Sequence, residues 1–310
     1  MQSSWVWVRR IAIGIGAEVI VSLMGAAFTP NAWAAEDIEP AAARLERVAD
    51  APEGAATLVF IPGLGSSPET WRSTIDPFSD RYGVGLVSIA GFAGQPATPT
   101  RPLTDAAAQA VAKALETQDL EDVVLVGHSL GGQIAILAAL AAPDLVSGVV
   151  TADTLPFLAQ MFNPAATPET ARGQGQAMAT ALSNQPREAF LSQLRAGYGV
   201  QSFDVRFHDV LAQWAADSDQ SSFAAAMGET LARDLRPDLA KLAAPLLAMP
   251  AWGQGAPFTA DQIEGFFARQ YAAAPDIQVK VIENSRHFIM VDQAEAIGDA
   301  IARFLNGLED

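Results

Sequence analysis

No cysteine occurs in the 310 residues, and histidine appears only three times, at His128, His208 and His287. The first absence excludes disulfides, thiolate metal sites and a cysteine nucleophile. The second leaves any imidazole chemistry to one of three positions. Positive charge is also scarce: 19 Lys and Arg stand against 35 Asp and Glu, a formal charge of −16. That balance argues against nucleic acid or anionic membrane surfaces as partners. No His, Asp and Glu recur at metal-ligand spacing, so no metal or other cofactor is expected. Half of the residues are hydrophobic, which suits one sizeable domain, with or without an insertion.

The chain is organised around Val123-Val124-Leu125-Val126-Gly127-His128-Ser129-Leu130-Gly131-Gly132. Four aliphatic residues run into Gly-His-Ser-Leu-Gly, and a helical pattern follows from Gln133 to Ala142. The reading is strand, sharp turn, helix, with a serine at the apex. Such a turn needs small flanks, which Gly127 and Gly131 supply, while Gly132 lets the helix start approach closely. The helix N-terminus places free N–H groups and a positive dipole end beside the hydroxyl.

Strands alternate with helices on either side of this turn. Thr57–Ile61 reads as a buried strand, Gly85–Ala90, Gly148–Ala152 and Pro245–Met249 as further strands, Ile277–Ile282 as an alternating last strand, and Arg44–Val48 as an alternating edge strand. Helices are expected over Pro68–Arg81, over Leu103–Glu116 with Thr104 as N-cap, over Thr259–Ala273 and over Gln293–Leu305. That alternation implies a mainly parallel sheet covered on both faces, with ligands at the C-terminal strand ends. From Thr154 to Pro237 the strand pattern stops. Phe157, Met161, Phe162, Met178, Phe190, Phe203, Phe223 and Met227 recur there among many Ala and Gln. A helical cap is expected over 154–237, inserted into a core made of 35–153 and 238–310.

The first 34 residues follow the plan of a signal peptide: Arg9-Arg10, an apolar run from Ile11 to Phe28, a Pro30 break, then Ala32-Trp33-Ala34. Cleavage is expected after Ala34. Glu18 within the run disfavours a retained span, so no stable membrane span is expected afterwards, and the destination is periplasmic or secreted.

The elbow and its surroundings resemble the α/β-hydrolase family from about residue 55 onwards. The resemblance implies an α/β-hydrolase fold and a serine hydrolase without cofactor. Ser129 is then the nucleophile and His287, in the loop after the last strand, the general base. The loop after the first core strand, Pro62-Gly63-Leu64-Gly65, supplies one oxyanion N–H from Leu64; Leu130 supplies the second. His128 points away on the elbow and His208 falls in the cap, so neither is read as the base.

The sequence departs from the family in the third residue of the triad. The usual acid loop, Ala251 to Pro257, contains Gln254 but no carboxylate. A known variation places the acid one strand earlier, where Asp153 stands. Asp153 is taken as the acid, Asp261 as the alternative, and Asp292 as a distant third.

These residues imply cleavage of a carboxylic ester or lactone of small-to-medium apolar character. Amidase, aminopeptidase or cofactor-free haloperoxidase-like activity remains open on the same site. So does a non-catalytic binder, with the acid-free loop as its trace of decay. The oligomeric state is not legible.

Overall fold

A computed structural model describes residues 41–309. The expected signal peptide lies outside the described residues. Among the described residues nine strands run in chain order: β1 (Ala43–Ala49), β2 (Thr57–Ile61), β3 (Gly83–Ile89), β4 (Val123–His128), β5 (Val146–Ala152), β6 (Leu246–Met249), β7 (Ala251–Trp252), β8 (Ile277–Val279) and β9 (Ile282–Glu283). Seven of them form one sheet in the order β1-β3-β2-β4-β5-β6-β8. β1 is antiparallel to β3 at the edge, and every other neighbouring pair is parallel.

The centre of the sheet is apolar on both faces, as parallel strands under two helical layers require. All five residues of β2 and all six of β4 are buried. Side chains alternate between the layers with the period of two that a strand imposes. Val59, Ile61, Val123 and Leu125 face one cluster; Leu58, Phe60, Val124 and Val126 face the other. The first layer contains α2 (Leu103–Thr117) and α3 (Leu130–Ala141). α3 is apolar almost all round because it packs on the sheet and is itself covered.

Helices α4 (Ala159–Phe162), α5 (Pro168–Ser183), α6 (Arg187–Gln201), α7 (Phe207–Asp217) and α8 (Gln220–Ala232) lie between β5 and β6 in the chain. α9 (Ala260–Gln270), α10 (Ile289–Asp292) and α11 (Ala294–Glu309) complete the molecule. α11 buries Ile297, Ile301, Phe304 and Leu305, one helical stripe, against the second face. Among the described residues no helix is long and apolar enough to cross a membrane.

Three local expectations are corrected. Pro68–Arg81 is not one helix: a 3-10 turn over Pro68–Trp71 leads into a single α turn, α1 (Arg72–Ile75), followed by tight turns. Trp71 fixes this stretch by donating its indole N–H to the Ile61 carbonyl at 3.2 Å. Thr104 is not the N-cap of α2. Pro102 holds that position without a side-chain bond, and the Glu229 carboxylate of α8 accepts from the Leu103 and Thr104 N–H groups, each at 2.9 Å. A distant residue therefore supplies the negative charge that a helix start favours. The last strand is split: β8 pairs with β6, whereas β9 turns away and pairs with β7. That split carries the following loop toward the ends of β4 and β5.

Candidate active site

Ser129 follows β4 and sits at φ 54°, ψ −118°, a conformation that L-residues rarely adopt. Strain of this kind costs about 1–3 kcal/mol and survives where the surroundings over-determine it. Here two glycines make the turn possible. A Cβ on Gly127 would run into the Gly131 backbone, and one on Gly131 would run into the carbonyls of Ile61 and Pro62. The elbow is thus wedged between its own helix start and the end of β2. Its backbone is pinned by the Ser129 N–H, which donates to the Ala152 carbonyl at 3.0 Å.

Asp153 stands directly after β5 with φ 44°. Its N–H donates to the Met249 carbonyl at 2.8 Å. One carboxylate oxygen accepts from the Ala251 N–H at 3.0 Å, and the other lies 2.7 Å from His287 Nδ1. The loop that lacks an acid therefore supplies the backbone donor that holds Asp153. Below it, buried Tyr271 donates its hydroxyl to the Thr154 carbonyl at 2.9 Å. Burial pushes that phenol far above its ordinary range, so it stays a neutral donor.

His287 lies in the loop after β9. Its Nδ1–H donates to Asp153, which leaves the Nε2 lone pair bare. Its carbonyl accepts from His128 Nε2–H at 3.0 Å, and the two imidazole rings lie 4.6 Å apart. His128 is buried; burial first, then the neighbouring His287, holds its pKa well below 6.5. It is therefore a neutral strut beneath the base. His208, in α7, donates Nε2–H to the carbonyl of Ser202 at the end of α6, at 3.0 Å.

The structure thus brings Asp153 and His287 together, and places them with Ser129 on the wall of one cavity of about 850 Å³. Among the described residues Ser129 and His287 share that wall without a direct hydrogen bond; such bonds often tighten only around a substrate. Leu64 and Leu130 line the same cavity. As the first residue of α3, Leu130 has an N–H with no acceptor inside the helix. The Leu64 turn is closed by Ser66 N–H donating to the Gly63 carbonyl at 3.1 Å.

The other two carboxylates are elsewhere. Asp261 is exposed in the first turn of α9, whose cap is the reciprocal pair Thr259 and Gln262. Asp292 accepts from Ser202 Oγ at 2.6 Å, from Phe203 N–H at 2.9 Å and from Arg286 N–H at 2.8 Å. It ties the base loop to the end of α6. Sequence reasoning missed that tie and the Ala251 N–H; both depend on residues far apart in the chain and leave no local signal. The glycine-rich loop after β3, Gly91 to Pro96, is not part of the cavity wall. It anchors the inserted helices instead, through Asp219 N–H to the Gly91 carbonyl at 2.8 Å and Gly94 N–H to the Asp217 carbonyl at 3.1 Å.

Most of the cavity wall is apolar. Met161, Phe162, Met178, Phe203, Phe223 and Met227 from the inserted segment line it; Phe157 packs instead with Ala171 and Leu231, and Phe190 stands edge-on behind Phe223. Arg286 is its one cationic guanidinium among the described residues. That group is engaged with the carbonyls of Gly199 and Ser202 and lies over the Phe203 ring.

The parallel sheet, the strained serine elbow and the carboxylate–imidazole pair at the strand ends define an α/β hydrolase. The profile of the alpha/beta hydrolase family matches residues 58–300, and the chain belongs to that family. It is 28% identical over 267 residues to a pimeloyl-[acyl-carrier protein] methyl ester esterase of Edwardsiella ictaluri, covering 82% of this chain and 95% of that protein. It is 29% identical over 257 residues to the biotin biosynthesis bifunctional protein BioHC of Cellvibrio japonicus, covering 81% of this chain and about half, 48%, of that longer one. A thermophilic esterase from Thermogutta terrifontis superposes with a TM-score of 0.68 at 19% identity, over 86% of this chain and 94% of that chain.

Proposed function

We propose that the protein is a carboxylic ester hydrolase that works through an acyl-enzyme on Ser129. The observation that carries this reading is the 2.7 Å contact of His287 Nδ1 with Asp153, made at the wall of the cavity that Ser129 also lines. Asp153 fixes the tautomer in which His287 Nε2 is unprotonated and stabilises the imidazolium that forms later. His287 Nε2 takes the Ser129 proton as Oγ attacks the ester carbonyl. The N–H groups of Leu64 and Leu130 receive the oxyanion. Collapse expels the alcohol, which leaves with the proton from His287. A water molecule activated by the same imidazole then releases the acid and restores Ser129.

The substrate is a neutral ester or lactone with apolar groups. Two features support this. Among the described residues, the cavity wall offers no uncommitted cation for a substrate carboxylate. Phe162, Met178, Phe203 and Phe258 are also each more than a third exposed while lining the cavity, so apolar surface continues from the wall to solvent. The relative's methyl ester activity supports an ester over an amide. We place the enzyme outside the cytoplasm, on the Arg-Arg, apolar run and Ala-x-Ala order of residues 9–34.

The test is labelling by a fluorophosphonate probe, followed by a panel of p-nitrophenyl esters of rising acyl length and a set of lactones. Wild type is expected to label and to turn over neutral esters; Ser129→Ala is expected to do neither. A folded wild type that fails to label would support the binding-protein reading instead.

A further inference from the structure

Leu130 N–H shares one peptide group with the Ser129 carbonyl. In a planar trans peptide the two point in opposite directions, so whatever grips the carbonyl sets where the N–H is aimed. The carbonyl accepts from Gly132 N–H at 3.0 Å and from Gln133 N–H at 3.4 Å, both in its own helix start. It also accepts from a side chain 25 residues away, Thr154 Oγ1, which donates to it at 3.0 Å. On the opposite side, Leu130 N–H makes no hydrogen bond among the described residues, and Leu130 lines the cavity.

Thr154 is 2% exposed and directly follows Asp153. Its carbonyl accepts the Tyr271 hydroxyl at 2.9 Å, and that phenol oxygen lies 3.1 Å from Thr151 Oγ1. Its hydroxyl occupies the space beside Gly132, where a Cβ would overlap Oγ1. The hydroxyl's other acceptor is the Ala152 carbonyl at 3.2 Å, the same one that holds Ser129 N–H. Both acceptors of its one proton thus belong to the attachment of the elbow, and the shorter bond goes to the Ser129 carbonyl.

We infer that Thr154 is a positioning residue that acts through the Ser129–Leu130 peptide: its hydroxyl orients and polarises that peptide, which makes Leu130 N–H a better donor to the oxyanion. The inference rests on Ser129 as nucleophile and Leu130 as oxyanion donor. Hydrogen bonds in series strengthen one another by about 10–30% per bond. The oxyanion forms only on the way to the tetrahedral intermediate, so the gain falls on kcat and not on KM.

The test compares Thr154→Ser, which keeps the hydroxyl, with Thr154→Ala, which does not. Each is measured on a neutral p-nitrophenyl ester and as the adduct with an alkyl trifluoromethyl ketone. Ser129 Oγ adds to that ketone and gives a hemiketal whose oxygen sits where the oxyanion forms. Its fluorine NMR shift against pH reports the hemiketal pKa. Thr154→Ala is expected to lower kcat about five- to tenfold with KM near wild type, the loss of about one hydrogen bond. It is expected to raise the hemiketal pKa by about 0.7 to 1 unit, the same loss read directly at the oxyanion. Thr154→Ser is expected to stay near wild type in both. A fall in kcat with an unmoved hemiketal pKa would overturn the inference, because a packing fault slows turnover without reaching the oxyanion. Wild-type kcat in Thr154→Ala, or equal impairment of Thr154→Ser, would also overturn it. If Thr154→Ala fails to fold, Thr154→Val, which keeps the volume, takes its place. A wild-type hemiketal no more acidic than the hydrate of the same ketone in water would overturn it without any variant. No adduct and no turnover of any ester would sink the hydrolase reading itself.

Discussion

At the scale of the residue, the site is a set of groups whose charge states are fixed by their neighbours. Asp153 is held on one oxygen by a backbone donor and on the other by His287. Asp153→Asn keeps the size but exchanges an acceptor for a donor, which drives the imidazole to the wrong tautomer. We expect kcat to fall by about three to four orders of magnitude while the circular dichroism spectrum and melting temperature stay near wild type. Asp261→Asn should leave turnover alone; a large loss there with none at Asp153 would reverse the assignment. His128 makes a second prediction. Its pKa is depressed in the folded protein, so the unfolded chain binds the proton first as pH falls. Stability contributed by the neutral imidazole is therefore whole above pH 6.5 and drains away below it, at up to about 1.4 kcal/mol per pH unit. Urea unfolding of wild type and His128→Gln at pH 7.5 and 5.5 measures this. The variant keeps an N–H for the His287 carbonyl and should lose less stability between the two pH values. Equal losses would show that carboxylates alone set the acid limit.

At the scale of the element, the base loop is fastened to the inserted helices. Asp292 accepts three hydrogen bonds across the two segments, and the Phe288 N–H donates to the Gln201 carbonyl at 2.8 Å. His287 is thus positioned partly by a segment about 85 residues away in sequence. Asp292→Asn places an amide N–H against backbone N–H groups at this junction. We expect kcat to fall about tenfold or more, since displacement of a catalytic group by about 1 Å is enough. In a double-mutant cycle with Ser202→Ala the losses should be non-additive; strictly additive losses would mean that the two residues do not share one tie. The elements themselves were largely legible. β2 and β4 announce themselves as aliphatic runs ending in glycine-rich turns, and the Thr259–Gln262 capping box starts α9 one residue after its expected first position. What escaped the sequence was set by distant partners. Thr104 looks like a cap because nothing local reveals Glu229, and Ile277–Ile282 reads as one strand because its alternation is blind to the change of partner at Val279. Asp153 was legible only as a candidate, for the Ala251 N–H that selects it over Asp261 comes from another strand.

At the scale of the whole molecule, a strongly acidic surface surrounds an apolar, nearly uncharged cavity. The net charge of −16 extends its field beyond individual contacts and repels anions approaching from solution. Inside, Arg286 is already committed to Gly199, Ser202 and the Phe203 ring, so an anionic substrate that reaches the wall meets no free cation among the described residues. Both effects act in one direction, but salt separates them. Long-range repulsion is screened over about 10 Å at 0.1 M ionic strength, whereas desolvation of a carboxylate inside the cavity is not. Pairs of esters that differ only in a terminal carboxylate and its methyl ester should therefore show a neutral preference at every ionic strength. That preference should narrow as salt rises from about 10 mM to 500 mM and then level off above one, the residue measuring the cavity alone. A preference that vanished in high salt would leave only the surface field as its cause. A preference for the carboxylate would require a cation at the site free of the bonds that now hold Arg286.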